Sequence, residues 1–164
     1  MTNSDAWLNY IVPKLSANRF RSMKAEEYQP QGFKYAAQLA RFEITKFGMA
    51  EYFFTFAEIP NLTPPVMLQY SGAAYNFAVA NKEVSLPNGL FSASFCFAVA
   101  MTENLAPETA ELFRNTEPTK HWGSFEMPVI FDLKANNLVY YEKTPLWGAA
   151  YFAGFLRMVE ANLR

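Results

Sequence analysis

The chain has 164 residues, of which 51% are hydrophobic and 17% aromatic, and its net charge is −1 at pH 7. The apolar content excludes a disordered chain, and the length predicts one domain, residues 1–164, with its own core. A charge near zero argues against nucleic acid or an anionic membrane as the partner. A single cysteine excludes an internal disulfide. Since no basic N-terminus precedes an apolar segment, the cytoplasm is the expected location.

The central part of the chain is unusually poor in charge. Residues 59–102 hold only two charged side chains, Lys82 and Glu83, which raises the question of membrane insertion. The uncharged run 90–101 is too short to cross a bilayer, because a spanning helix needs about 20 residues. We therefore expect a buried core and no membrane partner.

Residues 1–31 are predicted to form an N-terminal helix followed by a polar connecting segment. Ser4 or Asp5 can cap the helix, since both side chains accept hydrogen bonds from free N–H groups. Pro13 disfavours helical geometry at the preceding residue, so the helix is expected to end near Val12.

Residues 32–164 are predicted to form an α+β core. Residues 33–46 are ambiguous, because alternating apolar side chains favour a strand whereas several polar ones recur at helical spacing. We interpret 33–59 as a β-hairpin with a bulge near Ala40 and with Gly48 at positive φ. Its charged residues are expected to pair across the strands on a solvated face.

The middle of the core is predicted to be a helix, a strand and a second helix. Thr63-Pro64 is a helix start that leads to about Asn81. Leu90–Ala100 is an uncharged run typical of a central strand. A short amphipathic helix follows from Pro107, with Leu112 among its inward residues.

The last forty residues predict a second hairpin and a helix. Phe125–Leu133 and Leu138–Glu142 are the strands, joined by a turn that contains two asparagines. Pro128 should lie at an edge, a bulge or the start of its strand, because it cannot donate a ladder bond. The helix Pro145–Leu163 lacks charge over 146–156, so its first turns are expected to be buried nearly all round.

Small residues on this last helix predict close packing against a sheet or a second helix. They are Ala150, Ala153 and Gly154. The tetrapeptide Gly-Ala-Ala-Tyr occurs at 72–75 and again at 148–151, and the sequence leaves open whether this is a duplication. The predicted order is α-ββ-α-β-α-ββ-α: an α+β fold with a single mixed or antiparallel sheet, built from two β-hairpins and a central strand, with helices packed on it.

The candidate binding residues lie in two loops. The first is Lys120, His121 and Trp122, a polar and aromatic sequence just before a buried strand. The second is Lys143 and Trp147, at a helix start where N–H groups can hold an anion.

The catalytic candidates are His121, Glu126 and Asp132. His121 could act as a general base oriented by either carboxylate, and the alternative is a structural loop histidine beside a tryptophan that covers the core. No phosphate loop, metal-binding spacing or nucleophile motif is present, so we expect no metal and no cofactor.

Two classes of function remain open. The first is a non-enzymatic protein-interaction or accessory module that binds another protein or itself as a homodimer. The second is a small enzyme or ligand-binding domain that uses His121 with a nearby carboxylate, for a ligand that the sequence does not identify.

Overall fold

The structure is a computed structural model that describes residues 1–43, 48–89, 91–145 and 149–164, without the side chains of 149–151. The helices in these ranges are α1 (Asn3–Ala17), α2 (Ala25–Tyr28), α3 (Pro64–Ala80), α4 (Pro107–Asn115) and α5 (Ala149–Leu163). The strands are β1 (Arg21–Ser22), β2 (Tyr35–Glu43), β3 (Gly48–Glu58), β4 (Ser92–Thr102), β5 (Thr119–His121), β6 (Ser124–Asp132) and β7 (Asn137–Tyr140).

The strands form one mixed sheet in the order β1-β2-β3-β4-β6-β5, and β7 pairs with the same edge of β6 as β5. The three central strands β3, β4 and β6 are parallel, and α3 and α4 are the connections between them. The other pairs are antiparallel. The predicted α+β class and the single mixed sheet with packed helices are therefore confirmed.

Helices cover both faces of the sheet. On the first face, α1 and α5 pack on a cluster that includes Ile11, Phe97 and Phe152. On the second face, α3 and α4 pack on a cluster that includes Phe77 and Phe113. Because β4 is buried on both faces, the prediction that it is the central strand is confirmed.

The start and end of α1 differ from the prediction. Thr2 is the N-cap, and it forms a capping box with Asp5, while Ser4 is buried and binds Glu58. The helix continues through Pro13 to Ala17 instead of ending near Val12. A proline inside a helix costs about 3 kcal/mol. Burial of Ile11 and Leu15 on either side of it, both fully inaccessible, offsets that cost.

The connecting segment contains more structure than predicted. It includes β1, α2 and a 3-10 turn at Gln29–Gln31. Phe20, Met23 and Tyr28 are buried. These isolated apolar residues anchor the segment, and their spacing alone does not indicate which element they belong to.

The first hairpin is confirmed, but its predicted details are wrong. Residues 35–43 pair continuously with 56–48, so no bulge occurs at Ala40. Gly48 does not have positive φ. It is required for another reason, because a Cβ there would collide with the backbone of Phe91. The predicted solvated face is also wrong at Glu51, which is fully buried.

The second hairpin follows the prediction, with Asn136 at φ 50° in its turn. Pro128 lies inside β6, opposite Ala98 of β4, in the gap where β5 has ended and β7 has not begun. At that position the outer edge of β6 has no ladder partner among the described strands, which explains why a proline is tolerated there.

Two helix faces are more exposed than predicted. Leu112 of α4 is exposed, and so are Ala153 and Gly154 of α5. A Cβ on Gly154 would meet nothing within 4 Å, so close packing within the chain does not explain this glycine. The absence of charge in α5 therefore does not mean burial all round. The predicted helix start at Thr144-Pro145 precedes residues 146–148, which lie outside the described residues, and these include Gly148, the first residue of the second tetrapeptide.

Candidate functional site

The candidate site lies at the end of the sheet where the parallel strands β3, β4 and β6 begin. The turn between β5 and β6 brings His121 and Trp122 to this end. The loop between α3 and β4, of which residues 82–89 and 91 are described, packs beside that turn.

His121 is held between a ring and a carboxylate. Its ring stacks on that of Tyr75 from α3, with centroids 3.9 Å apart and planes 6° from parallel. Its Nε2 atom lies 3.6 Å from Oε1 of Glu126. This nitrogen is buried and has no hydrogen-bond partner in the part of the chain that the structure describes.

Glu126 is a largely buried carboxylate on β6, facing α3. Its Oε2 accepts a hydrogen bond of 3.2 Å from the buried Ser71 hydroxyl. Cys96 is its neighbour on β4. Burial raises the pKa of the Cys96 thiol well above its ordinary value, and the charge of Glu126 raises it further by a smaller amount. We conclude that Cys96 is an inert thiol and that Glu126 places negative charge inside the second core.

The pair His121–Glu126 has the geometry of an oriented histidine. A carboxylate near Nε2 favours the tautomer with its proton there and leaves Nδ1 as the basic nitrogen. The separation of 3.6 Å is slightly beyond hydrogen-bond range, and such contacts often shorten when a substrate binds. The arrangement can therefore move a proton at Nδ1 or accept a hydrogen bond from a ligand.

Trp122 is the most prominent surface feature of this end. Its side chain is 80% exposed. Gly89 and Gly123 pack against each other beneath it, at φ 140° and 68°. A Cβ on Gly89 would collide with the indole, and one on Gly123 would lie 2.8 Å from the Gly89 backbone. Two glycines in conformations that other residues rarely adopt thus hold an exposed tryptophan in place.

Two further exposed apolar residues belong to the loop beside Trp122. Leu86 is 51% exposed and Phe91 is 60% exposed. We call the surface formed by Leu86, Phe91 and Trp122 the aromatic end. In the structural alternative for this loop Trp122 covers the core, and its exposure shows that it does not.

Polar contacts brace the loop of the aromatic end internally and also hold it to the sheet. The Lys82 ammonium donates to Asn88 Oδ1 at 3.2 Å and to the Leu86 carbonyl. The buried Glu51 carboxylate accepts from the backbone N–H groups of Glu83 and Val84, at 2.7 and 2.9 Å. Leu86 and Phe91 are thus presented by a loop tied down at several points.

The remaining predicted residues do not converge on His121. Asp132 lies at the opposite end of β6, six residues or about 20 Å from Glu126, where it accepts from the N–H groups of its turn. Lys120 is exposed on β5, and Lys143 donates to Asn115 at the end of α4. Trp147 lies outside the described residues. Of the two carboxylates proposed to orient His121, only Glu126 is near it.

Sequence reasoning missed Ser71, Tyr75 and Gly89. Ser71 and Tyr75 are four residues apart, so they share one face of α3, and that spacing is visible in the sequence. The strand that this face meets depends on the sheet order, which the sequence does not reveal.

No group of three or more His, Cys, Asp or Glu side chains within residues 1–43, 48–89, 91–145 and 149–164 is arranged to hold a metal ion. Over the same ranges, no helix combines the length and apolar character needed to cross a membrane. Comparison with protein-family models, curated proteins and solved structures found no match.

Proposed function

We propose that this protein is a non-enzymatic interaction module that binds another protein through the aromatic end. The observation that supports this proposal is the exposed Trp122, whose supporting backbone requires two glycines at positive φ. Tryptophan is the residue type most enriched among side chains that dominate binding energies.

The backbone arrangement that supports Trp122 costs stability. A glycine loses more conformational entropy on folding than any other residue. Here two glycines position an indole that buries little surface in the folded chain. A rigid exposed anchor lowers the entropy cost of association, because the side chain is already ordered before the partner arrives.

The test compares wild-type protein with Trp122→Ala and with a control, Leu112→Ala, on the exposed face of α4. Partners captured from an extract of the producing cells by the wild-type chain would be purified and titrated against all three proteins. We expect Trp122→Ala to weaken binding about 30-fold or more, since a central tryptophan contributes about 2 kcal/mol or more. Leu112→Ala should bind like wild type.

Unfolding midpoints must first show that both variants are folded. Undiminished binding by Trp122→Ala, or an equal loss in Leu112→Ala, would contradict the proposal. Failure to find any partner that binds the wild-type chain in purified form would also count against it.

A second candidate function is the binding or turnover of a small molecule at His121. The specific observation in its favour is the buried, unpartnered Nε2 of His121 facing the Glu126 carboxylate. Buried polar groups without hydrogen bonds are costly, and they concentrate where a ligand or a reaction requires them.

A thermal-shift screen of small metabolites would separate this function from the first. A genuine ligand should stabilise the wild-type chain but neither His121→Gln nor Glu126→Gln, whereas Trp122→Ala should retain the effect. Ligands that stabilise all four proteins equally, or no ligand at all, would eliminate this candidate.

A further inference from the structure

One edge of the sheet is open. Strand β1 pairs with β2 only at Ala37 and Gln38. Beyond that point β2 continues from Leu39 to Glu43 with β3 on its inner side and no described strand on its outer side. We call these five residues, 39–43, the open edge.

The open edge is longer than either strand of the opposite edge and carries an exposed aromatic side chain. The opposite edge of the sheet is formed by β5 and β7, which are three and four residues long, and short edge strands discourage pairing with other chains. The open edge instead carries Phe42, which is 64% exposed. An unpaired strand with an exposed aromatic side chain is a template for an added strand.

The charges on this edge match a second copy of the same edge. Arg41 and Glu43 lie on one face of β2 and already form an ion pair of 3.0 Å within the chain. In an antiparallel pair with a two-fold axis at Phe42, Arg41 of each copy lies opposite Glu43 of the other. The two Phe42 side chains then face each other, so opposite charges and aromatic rings both pair favourably.

Other registers are less favourable. Moving the axis by one residue places Arg41 opposite Arg41 of the second copy, and like charges directly opposite each other are destabilising. The charges on the edge thus select one self-complementary register, and a two-fold interface of this kind uses the same surface on both partners.

We propose that the open edge pairs with the open edge of a second copy, which joins the two sheets into one through Arg41, Phe42 and Glu43. None of these three residues belongs to the aromatic end, although Gly48, which pairs with Glu43, lies against the backbone of Phe91. Because few residues pair, the dimer should be reversible and its population should rise with concentration.

The first experiment is oxidative crosslinking of Phe42→Cys. Directly opposite Cβ atoms in an antiparallel pair are about 4.5–5.5 Å apart, which is near enough for a disulfide after small adjustments. We expect a covalent dimer to form much faster than with the control Leu112→Cys. The native Cys96 is buried and does not compete. Equal crosslinking rates for the two variants would overturn the proposal.

The second experiment uses light scattering across a concentration series up to about 1 mM. The wild-type mass should rise from 18.7 kDa toward twice that value. Arg41→Glu should raise the dimer dissociation constant about tenfold or more, because two attractive pairs become repulsive. The double variant Arg41→Glu/Glu43→Arg should restore dimerisation, since the charges again match.

Two results would refute this interface. One is a wild-type chain that remains monomeric throughout the series. The other is a dimer that survives Arg41→Glu but is lost in Trp122→Ala, which would place self-association at the aromatic end. Unfolding midpoints of each variant identify any loss that is due to misfolding, and the double variant supports the proposal only if its dimer returns.

Discussion

At the scale of single residues, Glu51 shows how far a side chain can depart from what its type suggests. Glutamate is seldom fully buried, yet Glu51 is completely inaccessible. Its Oε2 accepts from Gln38 at 2.6 Å and from the Glu83 N–H, and its Oε1 accepts from the Val84 N–H. The carboxylate therefore fastens the loop of the aromatic end to β2 and β3.

We expect Glu51→Gln to lower the free energy of unfolding by about 2 kcal/mol. The amide has nearly the shape of the carboxylate, but its NH₂ group would face an N–H donor in either orientation, and hydrogen bonds to charged groups contribute about 1.5–3 kcal/mol. Urea unfolding measures the change, with Glu26→Gln on the exposed face of α2 as the control. Equal stability of the two variants would show that the loop is held by other contacts.

At the scale of elements, two glycines differ in whether the structure requires a glycine at their position. Gly123 has φ 68° in the turn between β5 and β6, where a Cβ would press on the Gly89 backbone. Gly154 lies in α5 with open space around the position of a Cβ. The first is required by its conformation and its neighbour, whereas nothing in the described packing requires the second.

The matched substitutions Gly123→Ala and Gly154→Ala should therefore have opposite signs. Gly154→Ala should raise the free energy of unfolding by about 0.5–1 kcal/mol, because alanine loses less entropy in a helix. Gly123→Ala should lower it by at least about 1–2 kcal/mol through backbone strain. Urea unfolding of both variants provides the check. A destabilising Gly154→Ala would indicate a contact on this face of α5, such as a partner that requires close approach.

At the scale of the whole molecule, one sheet lies between two hydrophobic cores. The helical layers on its two faces therefore depend on one another through the sheet that they share. A polar network ties α1 to the sheet at the end opposite the aromatic end. Lys34 binds Asp5 and Glu58, both at 2.7 Å. The hydrogen bond from Lys34 is the main cause that lowers the pKa of each carboxyl group below its ordinary value.

This network predicts acid sensitivity. A carboxyl group with a lowered pKa in the folded state stabilises the fold above its unfolded pKa of about 4, and this contribution is lost as the pH falls below that value. We expect Lys34→Met to reduce the loss of stability between about pH 5 and pH 2, because the largest cause of both lowered pKa values is removed. Urea midpoints at several pH values test this, with the exposed Lys134→Met as the control. The same pH dependence in wild type and Lys34→Met would contradict it.

Sequence patterns predicted local structure well where the residues of a segment are compatible with few kinds of secondary structure. The threonine-proline start of α3, the uncharged run of β4 and the asparagine turn after β6 each correspond to an observed element. Patterns failed where tertiary packing decided the outcome. Pro13 did not end α1, and Gly48 served close packing rather than a positive φ.

The candidate site was predicted in part. The sequence offered Glu126 or Asp132 as the partner of His121. The structure places only Glu126 near it, because a tight turn joins β5 to β6. Ser71 and Tyr75 are about fifty residues away in the chain. Their contribution depends on where α3 crosses β6, which local patterns do not encode.

By itself, the sequence determined the α+β class, the central charge-free strand, the second hairpin and the inert cysteine, because these follow from apolar periodicity, turn residues and composition. Only the tertiary structure decided the strand order, the exposure of Trp122 and the burial of Glu51. It also decided which edge of the sheet remains open. These properties arise from contacts between distant segments, so they are set by the packing of the whole chain and not by any local pattern.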